Sequence, residues 1–396
     1  MSENKPDIQV DTITTSNTDT QEKSRRISSL DATRGLAMIF ILLLHYALAW
    51  ADHGSVFLAG AGQIFLEFLG PAMFIVLSTI SVVFTTKRKQ GTIPEKIIRN
   101  NIFIRGGMII LIAILYNLFS LNIWGWNILM FIGFSQIFTY YALKLKKIPR
   151  IIIGLIILFT SEFIRETIWI NQNTNIFFTI LNFIISSPAP EVTVLPWLSV
   201  CFLAPVFGEL IYETMIEGTK EAYRRLFRLY MIWGFILVIS GILLGLELKN
   251  ALDPVYFAAY PYLDLVNFWN RQEIMYMWGI PKFLLTGTAT NVLYHLGLDL
   301  ITIGILFYLI DIKRKDNIFF SMLKFYGACS LTLFIIEYAF IPLFIRQSAA
   351  IYFLIYIWPF IGFLGILMFI WNKYWGGIGT LEWLMGMGMG AGKKKE

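Results

Sequence analysis

Two residues of the first apolar stretch are suited to bind an anion and move a proton. Arg34 opens the run TRGLAMIFILLLHYALAW, and His45 lies eleven positions later inside it. At about 100° per residue, eleven steps close three turns with roughly 20° left over, so both side chains share one helix face. The rise separates them by about 16 Å. Asp31, three residues before Arg34, falls on the same side. Such a stripe puts an acid and a guanidinium at one mouth of a helix and an imidazole near its middle. It suits a ligand whose charged part is held by Arg34 and Asp31 while its reactive end reaches His45, which can take a proton or accept a group. Spacing alone leaves a structural use open: Asp31 as a helix cap, Arg34 as a topology signal, His45 as a hydrogen-bonded link between helices.

A second stripe adds candidates. Asn291, His295 and Asp299 recur every four residues, so they share a face. Asp299, one turn from His295, could fix its tautomer and raise its basicity. His295 and Asp299 therefore join His45 as catalytic candidates, with a helix-to-helix clasp as the alternative. His295 falls near mid-depth and would meet His45 if the two helices are neighbours. Glu337 stands alone in SLTLFIIEYAF. It reads as a neutral, satisfied carboxyl, with proton transfer the other use of a buried acid. Glu67 is expected at the outer interface and His53, in an outer loop, in water. Three scattered histidines do not supply the ligand spacing of a metal site, so no metal is expected.

The elements that must position these groups are membrane helices. Hydrophobic residues make up 57% of the 396-residue chain, charged residues 15%, and the mean hydropathy is +0.66, a combination outside the range of soluble domains. Ten apolar stretches have the length needed to cross ~30 Å of hydrocarbon: roughly 35–51, 62–86, 106–121, 123–143, 151–168, 193–213, 228–247, 287–310, 325–345 and 350–371. Ser161, Glu162 and Arg165 crowd the end of the fifth. The run 175–187 is too short to span and reads as a re-entrant or interfacial piece. With the N-terminus inside, all but five of the 32 basic residues fall on the inner side, the exceptions being Arg165, Lys249, Arg271, Lys282 and Arg346. That asymmetry predicts an all-α, polytopic bundle of about ten transmembrane helices with both termini cytoplasmic.

Residues 1–24 are polar and read as a disordered cytoplasmic tail without a cleavable signal. Residues 25–386 form one transmembrane domain, and 387–396 a flexible basic tail. The net charge of +6 then reports topology, and no basic–aromatic stripe of the nucleic-acid-binding kind is present. Cys201 and Cys329 fall in membrane helices and form neither a disulfide framework nor a metal cluster. The segment 248–286, with three prolines and many aromatics, is expected to cap the outer side. Membrane lipid is the expected surrounding partner, and a homodimer is left open.

Several motifs carry a resemblance. RISSLDATRGLAMIFILLLHY resembles the opening of the heparan-alpha-glucosaminide N-acetyltransferase-like membrane proteins, and the Arg34-to-His45 spacing is similar to the first-helix motif of acyltransferase family 3. GPAMFIVLSTIS (70–81) resembles a second-helix element, with Thr79 where glycine is usual. LPWLSVCFLAPVFGELIY (195–212) looks like the "PW" helix. FYGACSLTLFIIEY (325–338) resembles a late helix in which Glu337 stands where histidine is often found. GGIGTLEWLM (376–385) is similar to the ending of the YeiB-like membrane proteins. The resemblance spans about residues 25 to 386.

What it implies is transmembrane acyl transfer, from cytosolic acyl-CoA (acetyl-CoA) to a sugar-like or other small hydroxyl- or amine-bearing acceptor. By position, Arg34 would help bind the CoA donor and His45 would serve the transfer step. Inner basic residues suit the phosphates of CoA. The alternatives are a transporter with an intramembrane His/Asp/Glu path and a structural or sensory membrane protein with no pocket.

Overall fold

The computed structural model describes residues 27–52, 54–55, 62, 64–119, 125–186, 194–249, 279–345 and 347–388. The N-terminal tail, residues 389–396 of the C-terminal one, His53 and most of the outer segment 248–286 lie outside the described residues.

Each of the ten apolar stretches falls on a helix or a helix pair. The helices are α1 (Ser28–Trp50), α2 (Pro71–Lys89), α3 (Glu95–Phe119), α4 (Ile128–Ala142), α5 (Lys147–Asn171), α6 (Ile176–Ser186), α7 (Val200–Glu217), α8 (Lys220–Leu244), α9 (Ala289–Phe307), α10 (Ile318–Ala328), α11 (Ser330–Phe340), α12 (Ala350–Trp375) and α13 (Leu381–Gly388). Among the described residues, seven helices are long and apolar enough to cross a membrane. α4 is short, and α5 carries Arg150, Glu162, Arg165 and Glu166. The short run around 175–187 is the 11-residue helix α6. At the base of the outer segment, Leu248–Lys249 pairs antiparallel with Ile280–Pro281.

The ninth stretch departs from the expected single span. It starts earlier, at Ile318, and bends by 84° between α10 and α11. In a continuous helix the Leu331 and Thr332 amides would bond to the carbonyls of Gly327 and Ala328. Here both donate to Glu382 Oε1 instead, at 2.8 and 3.1 Å. Cys329 therefore sits at a break rather than inside a continuous helix.

Glycine pairs bring helices together backbone to backbone, as is usual between membrane helices. A Cβ on Gly35 of α1 would lie 1.8 Å from Leu323 O, and one on Gly327 of α10 would lie 1.9 Å from Asp31 O. Gly106 with Gly133 and Gly234 with Gly297 form reciprocal contacts of the same kind, joining α3 to α4 and α8 to α9. The glycine after Arg34 and the glycine of FYGACS are thus two faces of one crossing. α1 also packs on α2, α9, α11 and α12, which makes it central to the bundle.

The charges of α5 serve the fold. At its far end Glu162 accepts from the Ala289 amide (2.9 Å) at the start of α9 and pairs with Lys282, while Arg165 donates to Gly287 O at 2.5 Å. Near its start the fully buried Arg150 pairs with Glu209 of α7, and Lys87 lies 3.5 Å from the same carboxylate. Breaking a buried pair from one side strands the other charge, at a cost of about 3 kcal/mol or more. Arg150→Leu is expected to lower the unfolding midpoint in a denaturing-detergent titration, and Arg150→Leu with Glu209→Leu to recover most of the loss.

Candidate active site

Helix α1 presents His45 to α11. His45 Nδ1 lies 2.7 Å from Glu337 Oε1, with the imidazole 29% exposed and the carboxylate fully buried. The next residue strengthens the grip, because Tyr46 OH donates to the Glu337 carbonyl at 2.9 Å. One turn on, Trp50 Nε1 donates to Ile341 O at 2.8 Å. Phe334 and Tyr338 meet the imidazole edge-on, each with ring centroids 5.9 Å away. Tyr116 of α3 donates its hydroxyl to that of Tyr338. A carboxylate on Nδ1 fixes the ring's orientation and tautomer, makes Nε2 the nitrogen for a reacting group, and stabilises the imidazolium that forms when it takes a proton.

At the start of the same face, Arg34 Nη1 lies 3.3 Å from Asp31 Oδ1. In the first turn of α1 the Ser29 amide donates to Asp311 Oδ2 at 3.2 Å. Arg105 of α3 donates from Nη1 to Ser81 Oγ at 3.2 Å. Arg105 lines an open cavity of about 370 Å³ together with Arg88, Lys89, Ser81, Thr85 and Gln136. Cations gathered around hydroxyls and amides favour a polyanionic ligand.

The second stripe is assembled differently from expectation. α9 does pack on α1, but the acid paired with His45 comes from α11. His295, Asn291 and Asp299 are fully buried. His295 Nε2 meets Asn291 Nδ2 at 3.3 Å, and its ring lies beside Trp197 of the PW element, centroids 6.1 Å apart. His295 Nδ1 and both Asp299 carboxylate oxygens have no hydrogen-bond partner among the described residues, so Asp299 does not hold the imidazole directly. Glu67, expected at the outer interface, is buried within the protein and accepts from Thr286 Oγ1 at 2.7 Å. Thr79, where glycine is usual, is buried and turns its hydroxyl back to Val76 O at 2.7 Å.

Two site residues were not assigned from the sequence. Glu337 was visible through its cost, as a lone carboxyl in an apolar helix, but its partner required the packing of α11 on α1. Arg105 read only as an inner-side positive charge.

The bundle and the paired imidazole define a polytopic membrane protein with an ionisable site inside its helices. The chain belongs to the heparan-alpha-glucosaminide N-acetyltransferase family: residues 26–239 match the family model described as "Heparan-alpha-glucosaminide N-acetyltransferase, catalytic". It is thus a member of a membrane acetyltransferase family. No curated protein and no solved structure matches the chain. The matched region contains Asp31, Arg34, His45 and Arg105, whereas His295, Asp299 and Glu337 lie beyond it.

Proposed function

We propose that this protein takes an acetyl group from cytosolic acetyl-CoA and transfers it to a sugar-like hydroxyl or amine acceptor at or across the cell membrane. The observation that carries the reading is the part-exposed His45 paired with buried Glu337, in a chain whose first half matches an acetyltransferase catalytic domain. The bundle is read as ten crossings with both termini cytoplasmic, so that Arg34, Arg88, Lys89 and Arg105 face the donor's side. Their charges suit the donor phosphates, and the run from Arg34 to His45 suits an extended donor lying along α1.

In this reading His45 Nε2 takes the proton of the acceptor as its oxygen or nitrogen attacks the acetyl carbonyl. The carbon–sulfur bond breaks, and the same proton passes to the departing CoA thiolate. Glu337 stabilises the transient imidazolium. The proposal extends to His295 and Asp299: His295→Ala and Asp299→Asn are each expected to lower turnover several-fold, and an unchanged rate in either variant removes that residue from the site.

The test is transfer of labelled acetyl from acetyl-CoA to amino-sugar and sugar acceptors by the purified protein in lipid vesicles. Donor-dependent product supports the reading. Acceptor uptake without donor, and without product, would favour transport instead. For the donor site, Arg105→Ala is expected to weaken acetyl-CoA binding about tenfold, the worth of one charge-assisted hydrogen bond, as read by equilibrium binding.

A further inference from the structure

We propose that Glu382, near the C-terminus, is a positioning residue for the His45–Glu337 pair. This rests on reading that pair as the chemical centre. The break after α10 gives α11 a new N-terminus, with first-turn amides that lack a preceding helical turn. Glu382 supplies the missing acceptors. Its Oε1 takes the Leu331 and Thr332 amides at 2.8 and 3.1 Å, and its other oxygen takes the Thr332 hydroxyl. In return Thr332 Oγ1 accepts from the Leu381 amide at 2.9 Å. A carboxylate at this end also complements the helix dipole.

The placement of Glu382 is itself built. Gly376, Gly377 and Gly379 all have positive φ, at 59°, 73° and 86°, and turn the chain back after α12. Thr380 accepts from the Trp383 amide at 3.2 Å and so caps α13. α13 packs on α11 and also on α3, the helix that carries Tyr116 and Arg105. α11 is only 11 residues long, and Glu337 lies two turns beyond its capped end. Tyr46 and Trp50 hold Glu337 and Ile341 toward the other end. The cap therefore fixes the end of a short half-helix whose register decides whether Glu337 meets His45.

The same amides and hydroxyl would also cradle a phosphate, and Gly327 beside the break touches the Asp31–Gly35 turn next to Arg34. A carboxylate that merely occupied a donor site would behave in the opposite way on removal. The experiment uses full-length protein in lipid nanodiscs: wild type, Glu382→Ala and Glu382→Gln. Expected for Glu382→Ala is a fall in kcat of about tenfold, the usual weight of a lost cap, with acetyl-CoA affinity within about twofold of wild type. Glu382→Gln, which keeps one acceptor oxygen, recovers part of the rate. Amide hydrogen exchange over residues 330–338 rises in Glu382→Ala while that of α1 does not. Unchanged kcat and unchanged exchange overturn the proposal, and so does tighter acetyl-CoA binding by Glu382→Ala. Absence of transfer in wild type would sink the reading of the His45 pair instead, and the exchange result would still decide whether Glu382 holds α11.

Discussion

His45→Ala is expected to lower acetyl transfer about 10²- to 10⁴-fold, the range lost with a general base, while acetyl-CoA binding stays within about twofold. The split matters because the imidazole is assigned to the reacting end of the donor and the inner cations to its phosphates. Glu337→Gln fills the same volume but removes the charge that orients Nδ1 and stabilises an imidazolium. It is expected to cost about a hundredfold in kcat, again with binding kept. The two residues act as a unit, so the double variant should be little slower than His45→Ala alone. Steady-state kinetics beside equilibrium binding read all three variants. Additive losses would separate Glu337 from the chemistry. A stoichiometric burst of CoA release without acceptor would show instead that His45 carries the acetyl group covalently.

Substitution at the crossing of α1 and α10 has the largest expected effect on folding. A methyl group on Gly35 or Gly327 would sit under 2 Å from a main-chain oxygen of the facing helix. Neither backbone can yield without moving Arg34 on one side or the start of α11 on the other. Gly35→Ala and Gly327→Ala should each cost about 3 kcal/mol or more, the upper range for overpacking, and sharply reduce the yield of monodisperse protein. Gly107→Ala and Gly362→Ala make the control, since an added Cβ at either meets nothing within 4 Å. Size-exclusion profiles and thermal stability in detergent compare the four. Wild-type behaviour of Gly35→Ala would mean that the helices do not cross there.

The all-α membrane bundle was legible because hydrocarbon thickness acts on long windows of sequence. Among the described residues the apolar stretches lie on helices, seven of them long and apolar enough to cross a membrane. The bend at Cys329 was not legible, because the carboxylate that takes the two amides freed there lies more than 50 residues later in the chain. The face shared by Arg34 and His45 follows from helical period alone. The partner of His45 does not, since periodicity relates residues within one helix and says nothing of which helix lies opposite. His295 with Asp299 drew attention as an i, i+4 pair, yet the imidazole that meets a carboxylate does so across helices, 292 residues apart in sequence. The motifs around Gly35, Gly327 and Glu382 were visible as strings. That they form one helix crossing and one capped helix start was visible only in the fold.

The most direct test of the central claim is equilibrium binding of acetyl-CoA to the purified, well-folded protein, wild type beside Arg34→Ala and His45→Ala. The account predicts saturable binding, weakened about tenfold by Arg34→Ala and nearly unchanged by His45→Ala. No saturable binding by wild type, to acetyl-CoA or to longer acyl-CoAs, would contradict it.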